Sequence, residues 1–165
     1  FRGRRKVKRP LQIQRPLHIV FKSTHARGRL GFRTSKNFSL IESTLKFQAR
    51  RHFVGLSSHV IMGNHIHIKA KCKRRQDLQN FLRRVGSVIA QKLTGARPGK
   101  PFGRFWNDLV FSRVLTSRFE ELTLGRYFEA NRIEALYGYA AREDFLLRTR
   151  RYWKKGRKLS QFAFV

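Results

Sequence analysis

Acidic residues are scarce. The 165-residue chain holds 9 Asp plus Glu against 38 Lys plus Arg, a formal net charge of +29. A charge of that size repels itself in a compact state, so a polyanionic partner is expected to offset it. Nucleic acid is the first candidate, ahead of heparin-like polymers and anionic membranes. The bland alternative is a generically solvated basic surface. Cysteine is almost missing as well: a single thiol, Cys72, rules out an intramolecular disulfide and suits a reducing compartment. No apolar run approaches the ~18 residues that a membrane helix needs. Phe1 to Pro10 is mostly Arg and Lys with no apolar stretch behind it, which is not the pattern of a secretory signal. The sequence opens on Phe1 instead of Met, as a trimmed chain would. A cytoplasmic protein with no membrane partner is expected.

Core-forming residues are present in quantity. Hydrophobic residues make up 41% of the chain and 15 of them are Phe, a composition of a globular domain and not of a disordered polycation. Residues 1–15 read as a basic arm, 16–141 as one folded domain and 142–165 as a basic extension. Pro16 to Lys22 reads as a first strand. Arg27 to Lys36 is a Gly- and Arg-rich loop, and a helix is predicted from Phe38 to His52 with Leu40, Ile41, Leu45 and Phe47 as apolar positions. Strands follow over Gly55 to Met62 and His65 to Lys71, joined by the turn pair Gly63-Asn64. In the next helix, Arg75 to Leu93, Leu78, Phe81, Leu82, Val85, Val88 and Ile89 share one buried face. A Gly- and Pro-rich loop over Gly95 to Gly103 leads to a fourth strand within Trp106 to Leu115. Ser117 and Glu120 have capping-box spacing, so a third helix is predicted from there to Tyr137. The order β-α-β-β-α-β-α implies an α+β fold, an antiparallel sheet with helices packed on it.

A two-residue turn at Gly63-Asn64 sets Met62 opposite His65 and Val60 opposite His67. Period-2 alternation then places His65, His67 and Lys69 on one face, with Ile66, Ile68 and Ala70 on the core face. Two imidazoles with Cβ atoms about 6.6 Å apart can converge on one ion. The same spacing also fits two unrelated histidines. A histidine-triad hydrolase would need a third histidine where Lys69 stands, and a thermolysin-type zinc site needs histidines four apart on a helix. In this register His59 falls on the apolar face and reads as a core histidine. His18, His25 and His52 belong to no constellation that the sequence defines.

At about 100° per residue, Phe119, Leu122, Ala130, Ile133 and Tyr137 of the third helix fall within roughly 80° of one another and form the expected buried stripe. Tyr127 and Asn131 stack on its flank. A tyrosine at a core edge is ordinarily a packing residue with a wet hydroxyl. Tyrosine is also a covalent nucleophile, and strand cleavage that conserves bond energy needs one. A histidine pair leaves coordination sites open for phosphate oxygens, and the Asn131 carboxamide is a candidate third ligand, a donor set suited to Mg²⁺ or Mn²⁺.

Ile61-Met62-Gly63-Asn64-His65-Ile66-His67-Ile68 resembles the HUH motif of single-tyrosine transposases. Gly103-Arg104-Phe105-Trp106, Leu115-Thr116-Ser117 and Arg126-Tyr127-Phe128-Glu129-Ala130-Asn131 follow in that family's order. The resemblance runs from about Arg15 to Tyr139 and is nearest to the REP-associated tyrosine transposases (RAYT), whose helix carries Tyr-x-x-x-Asn. It implies a ferredoxin-like fold and a metal-dependent endonuclease and strand transferase. His65 and His67 would hold the metal, Asn131 would offer an amide to it, and Tyr127 would form a 5′-phosphotyrosine. The implied partner is single-stranded DNA with hairpins, drawn from REP-like palindromes, and the location nucleoid-associated. Monomer and homodimer are equally compatible. Gly63 stands where Pro is common, and the Pro expected soon after Asn131 is missing. Lys69, Lys71 and Lys73 make the strand's end unusually basic and suggest tighter DNA contact. Arg150, Arg151, Lys154 and Lys155, interleaved with Tyr152 and Trp153, are candidate phosphate and base contacts. The rival readings are a non-catalytic nucleic-acid binder, such as a ribosomal-type RNA-binding protein, and a regulator of the same fold that has lost cleavage.

Overall fold

The computed structural model describes residues 11–12 and 15–150. These residues divide into two compact units, one ending at Phe128 and the other beginning at Glu129. The first unit is built on a sheet of β1 (Leu17–Lys22), β2 (Val54–Ile61), β3 (His65–Cys72) and β4 (Phe111–Val114). The strands lie in the order β2-β3-β1-β4 and every pair is antiparallel. With helices α1 (Ser35–Arg51) and α2 (Arg75–Thr94) between the strands, this is the expected α+β, ferredoxin-like arrangement.

Alternation along β1 and β3 decides which face is the core. Leu17, Ile19 and Phe21 project to the same side as Ile66, Ile68 and Ala70, and all six are essentially inaccessible to solvent. They join Ile41 and Leu45 of α1 and Leu78, Phe81, Val85 and Ile89 of α2 in one cluster. The α2 stripe is as predicted except for Val88, which is only half-buried and outside the cluster, and Phe47 of α1 is exposed. Gly86 admits an aromatic contact here: a Cβ on it would lie 3.4 Å from Trp106 Nε1, which donates to the Gly86 carbonyl at 2.9 Å.

Helix ends follow local chemistry. The Thr34 hydroxyl accepts from Asn37 N at the start of α1, and α2 stops at Gly95 in the left-handed conformation, φ 71°. The cap before α3 (Arg118–Tyr137) forms in a shifted version: Ser117 Oγ accepts from Glu120 N as expected, and the Glu120 carboxylate returns to Thr116 N, one residue before Ser117. The stripe expected on α3 is wrong in its first half. Phe119 and Leu122 are exposed, and Thr123, Leu124 and Phe128 are buried instead. The deciding factor is the sheet surface that receives the helix, since a 20-residue helix with several scattered apolar residues has no single face fixed by periodicity.

In the second unit Ala130 and Asn131 are buried, Ile133 is half-buried, and Tyr137 is exposed, against its expected place in the stripe. Helix α4 (Tyr139–Thr149) occupies a stretch that begins within the expected folded domain and runs into residues read from sequence as a basic extension. Its charges mask it in the sequence but are paired within the helix and its neighbour: Arg142 with Glu134 and Glu143, and Arg148 with Asp144. No helix among the described residues is long and apolar enough to cross a membrane.

Candidate active site

The functional face of the sheet is the one that α1 and α2 leave uncovered. On it stand His18 of β1 and His65, His67 and Lys69 of β3, set by the same alternation that sends their neighbours into the core. The hairpin forms as read: Met62 N donates to the His65 carbonyl at 2.9 Å, and Val60 pairs with His67. Its turn is clasped from outside, because the carbonyls of Gly63 and Asn64 accept from Phe32 N and Ser23 N, each at 2.9 Å. His59 does lie on the core side, opposite Ile68, but an edge strand leaves it half-buried and 3.9 Å from Glu42.

Tyr127 reaches this face. Its hydroxyl is 3.4 Å from His67 Nε2, and the two rings meet edge-on with centroids 5.2 Å apart. Phe128 packs against His18 and His67, with centroid separations of 5.9 and 5.8 Å. Two ion pairs fasten the start of α3 to the sheet, Lys69 to Glu121 at 2.9 Å and Arg113 to Glu120 at 3.5 Å. Lys69, expected as a DNA contact, is therefore engaged with α3. Lys71 and Lys73 are exposed at the far end of β3.

Each histidine has a defined partner. Asn64 Oδ1 is 2.8 Å from His65 Nδ1, and His18 Nε2 is 3.2 Å from His67 Nδ1. The His65 and His67 ring centroids are 4.8 Å apart. With Nδ1–H donating in both, the Nε2 atoms of His65 and His67 keep their lone pairs, that of His67 turned to the Tyr127 hydroxyl, the tautomers through which a histidine pair can bind metal by Nε2. Burial holds these imidazoles neutral. The pKa of His65 falls from 6.5 to about 4, through desolvation and then the Lys22 ammonium. His18 also falls to about 4, through desolvation and then Arg113. His67 is lowered furthest, by desolvation and then by the two neighbouring histidines. Neutral rings fit a divalent ion, provided that the Tyr127 hydroxyl gives up its place at His67 Nε2. Among the described residues no group of three or more His, Cys, Asp or Glu could hold one alone, so further ligands would have to be amide, water or substrate oxygens.

Asn131 sits one helical turn beyond Tyr127 on α3, within the second unit, with a buried amide nitrogen that has no hydrogen-bond partner among the described residues. Arg150 is exposed. Arg151, Tyr152, Trp153, Lys154 and Lys155 lie outside the described residues. The residue that sequence reasoning missed is His18. Its signal was present in Leu17-His18-Ile19-Val20-Phe21, whose apolar alternation turns His18 to the other face. Only the pairing of β1 with β3 makes it a neighbour of His67.

The antiparallel α+β fold itself is shared with a protein of known structure. One solved structure that superposes on the chain is that of a REP-associated tyrosine transposase bound to a REP hairpin. The match has a TM-score of 0.62 and 10% identity, over 81% of this chain and 76% of the other. A protein from Deinococcus radiodurans, provisionally assigned as a transposase, matches at a TM-score of 0.49 and 13% identity, over 73% of this chain and 93% of its own. No protein-family model and no curated protein matches the sequence.

Proposed function

We propose that this protein is a transposase-like enzyme that cuts and rejoins single-stranded DNA carrying hairpins, with Tyr127 as nucleophile. What carries the reading is the 3.4 Å approach of the Tyr127 hydroxyl to His67, beside a second imidazole 4.8 Å away by centroid. A non-catalytic binder has no use for that juxtaposition. In the reaction the phenol loses its proton and its oxygen forms a bond to the scissile phosphorus. The bond from phosphorus to the 3′ oxygen breaks, and that oxygen takes up a proton. The strand is left with a free 3′ hydroxyl and a 5′ phosphate ester on Tyr127. Reversal on another 3′ hydroxyl gives strand transfer.

His65 and His67 would hold Mg²⁺ or Mn²⁺ through Nε2. Bound there, the ion neutralises charge developing on the phosphate oxygens and orients the phosphate. His67 Nε2 cannot serve as ligand and as partner of the Tyr127 hydroxyl at once, so as a ligand it would release the hydroxyl. Asn64 and His18 fix the ring orientations and tautomers from behind. The surplus of cations, +29 overall, supplies sequence-independent affinity for the strand. The expectation that Asn131 adds a ligand rests on its spacing from Tyr127.

The test is a covalent one. Wild type incubated with hairpin-bearing single-stranded DNA and Mn²⁺ is expected to yield a protein–DNA adduct that survives denaturant. Tyr127→Phe should give none while binding the strand as tightly. An adduct undiminished by that substitution would overturn the nucleophile, and no adduct under any divalent ion would favour a binding protein.

A further inference from the structure

We propose that the cleft at the far end of the hairpin, between the end of α1 and the start of α2, binds an unpaired nucleotide. Phe53 would stack on its base and the surrounding basic side chains would hold its phosphate. The inference rests on the nucleic-acid part of the reading above, but not on cleavage.

Phe53 is anomalous in two independent ways. It is the one non-glycine residue with positive φ among the described residues, at 52°, and its side chain is 82% exposed. The left-handed region is unfavourable for a bulky aromatic, where Gly or Asn would be the relaxed choice. An exposed ring recovers little of that strain through burial. A residue held in strain without a packing return points to a contact made outside the folded chain.

The surroundings define the chemistry of that contact. Phe53 lines a cleft of about 690 Å³ with Arg50, Lys71, Lys73, Arg74 and Asp77. The four cations are exposed, and Asp77 is the one carboxylate among the lining residues. Arg74 stands at the N-cap of α2 without a side-chain cap, so the helix dipole adds to the positive field. An exposed aromatic ringed by cations is suited to single-stranded nucleic acid, where every base offers a π face and every linkage a charge. An apolar or acidic protein partner would satisfy only one half of the site. Lys71 is six residues beyond His65 on β3, and at ~3.3 Å per residue the cleft lies about 20 Å along the strand from that histidine. A nucleotide held there belongs to the substrate's recognition region and not to its scissile linkage.

The test uses the full chain carrying Tyr127→Phe, so that cleavage plays no part. The probe is a DNA hairpin with an oligothymidine arm in which single thymines are replaced by 5-iodouracil. Irradiation is expected to cross-link one arm position to the peptide containing Phe53. Phe53→Gly should weaken binding of this probe about tenfold, as loss of one stacked base does, while raising Tm because the strain is relieved. Phe53→Tyr should keep the affinity. Lys73→Ala should weaken binding at low salt and lower its salt dependence. A fall in Tm for Phe53→Gly would show that the ring is a packing residue and overturn the proposal. So would unchanged affinity, or an equal loss for blunt duplex DNA of the same length. Because none of these readouts needs an adduct, a failed cleavage assay leaves the outcome readable.

Discussion

The buried imidazole cluster makes the metal-free protein acid-sensitive in a definable window. His18 has a pKa of about 4 in the fold against an ordinary 6.5, because burial and Arg113 disfavour its charged form. A lowered pKa means that the unfolded chain binds the proton first. Stability is therefore intact above about pH 6.5 and declines as pH falls toward 4, below which the loss levels off. From the two pKa values, the loss for His18 between pH 7.5 and pH 5 is on the order of 2 kcal/mol. His65 and His67 shift in the same direction and add to it. Glu42, Glu120 and Glu121 have pKa values lowered from 4.5, so their loss of stability lies at more acid pH and leaves this window nearly free of carboxylates. The assay is urea denaturation with chelator and without DNA, at half-unit intervals from pH 7.5 to 5. The wild type should lose several kcal/mol, with unfolding linked to the uptake of between two and three protons near pH 5. His18→Gln should remove about one proton from that linkage. A stability independent of pH over this range, or a linkage unchanged in His18→Gln, would refute the assignment of a neutral buried cluster.

Other outcomes follow from the same geometry. His18→Gln should weaken Mn²⁺ binding roughly 10- to 100-fold, the usual effect of removing a hydrogen-bond partner behind a ligating histidine. Titration of the strand-bound Tyr127→Phe protein by electron paramagnetic resonance reads it, and unchanged affinity would remove His18 from the site. Ile68→Ala should destabilise the fold by about 2–5 kcal/mol, because this side chain is fully buried between the strands and the helices of the core face. Chemical denaturation at neutral pH checks it, and a loss below about 1 kcal/mol would contradict the assignment of the core face.

Much of this site was legible in the sequence because strands encode faces. The two-residue turn Gly63-Asn64 and the alternation after it were enough to set His65 and His67 together and to send Ile66 and Ile68 into the core. The capping box gave the start of α3 for the same reason: it is a local pattern with a local cause. Non-local choices were less visible. Which face of α3 is buried depends on the sheet beneath it, so Phe119 and Leu122 were misplaced while Leu124 and Phe128 went unnoticed. His18 was overlooked although the ferredoxin-like order places β1 beside β3; the face was readable in β1 alone, and the neighbour required the topology. Helix α4 was hidden because charges that pair along it and with the end of α3 look, in a list of residues, like a solvated basic tail.

The clasp on the hairpin turn has a consequence for how the surrounding loop can vary. Both turn carbonyls are held by main-chain N–H groups, from Ser23 and Phe32, and not by side chains. The aim of His65 is thereby inherited from backbone pairing. Most exposed positions between those two anchors, such as Arg27 and Arg29, are free to diversify in a randomised library without disturbing the imidazole pair, whereas changing the length of that segment would misdirect both rings.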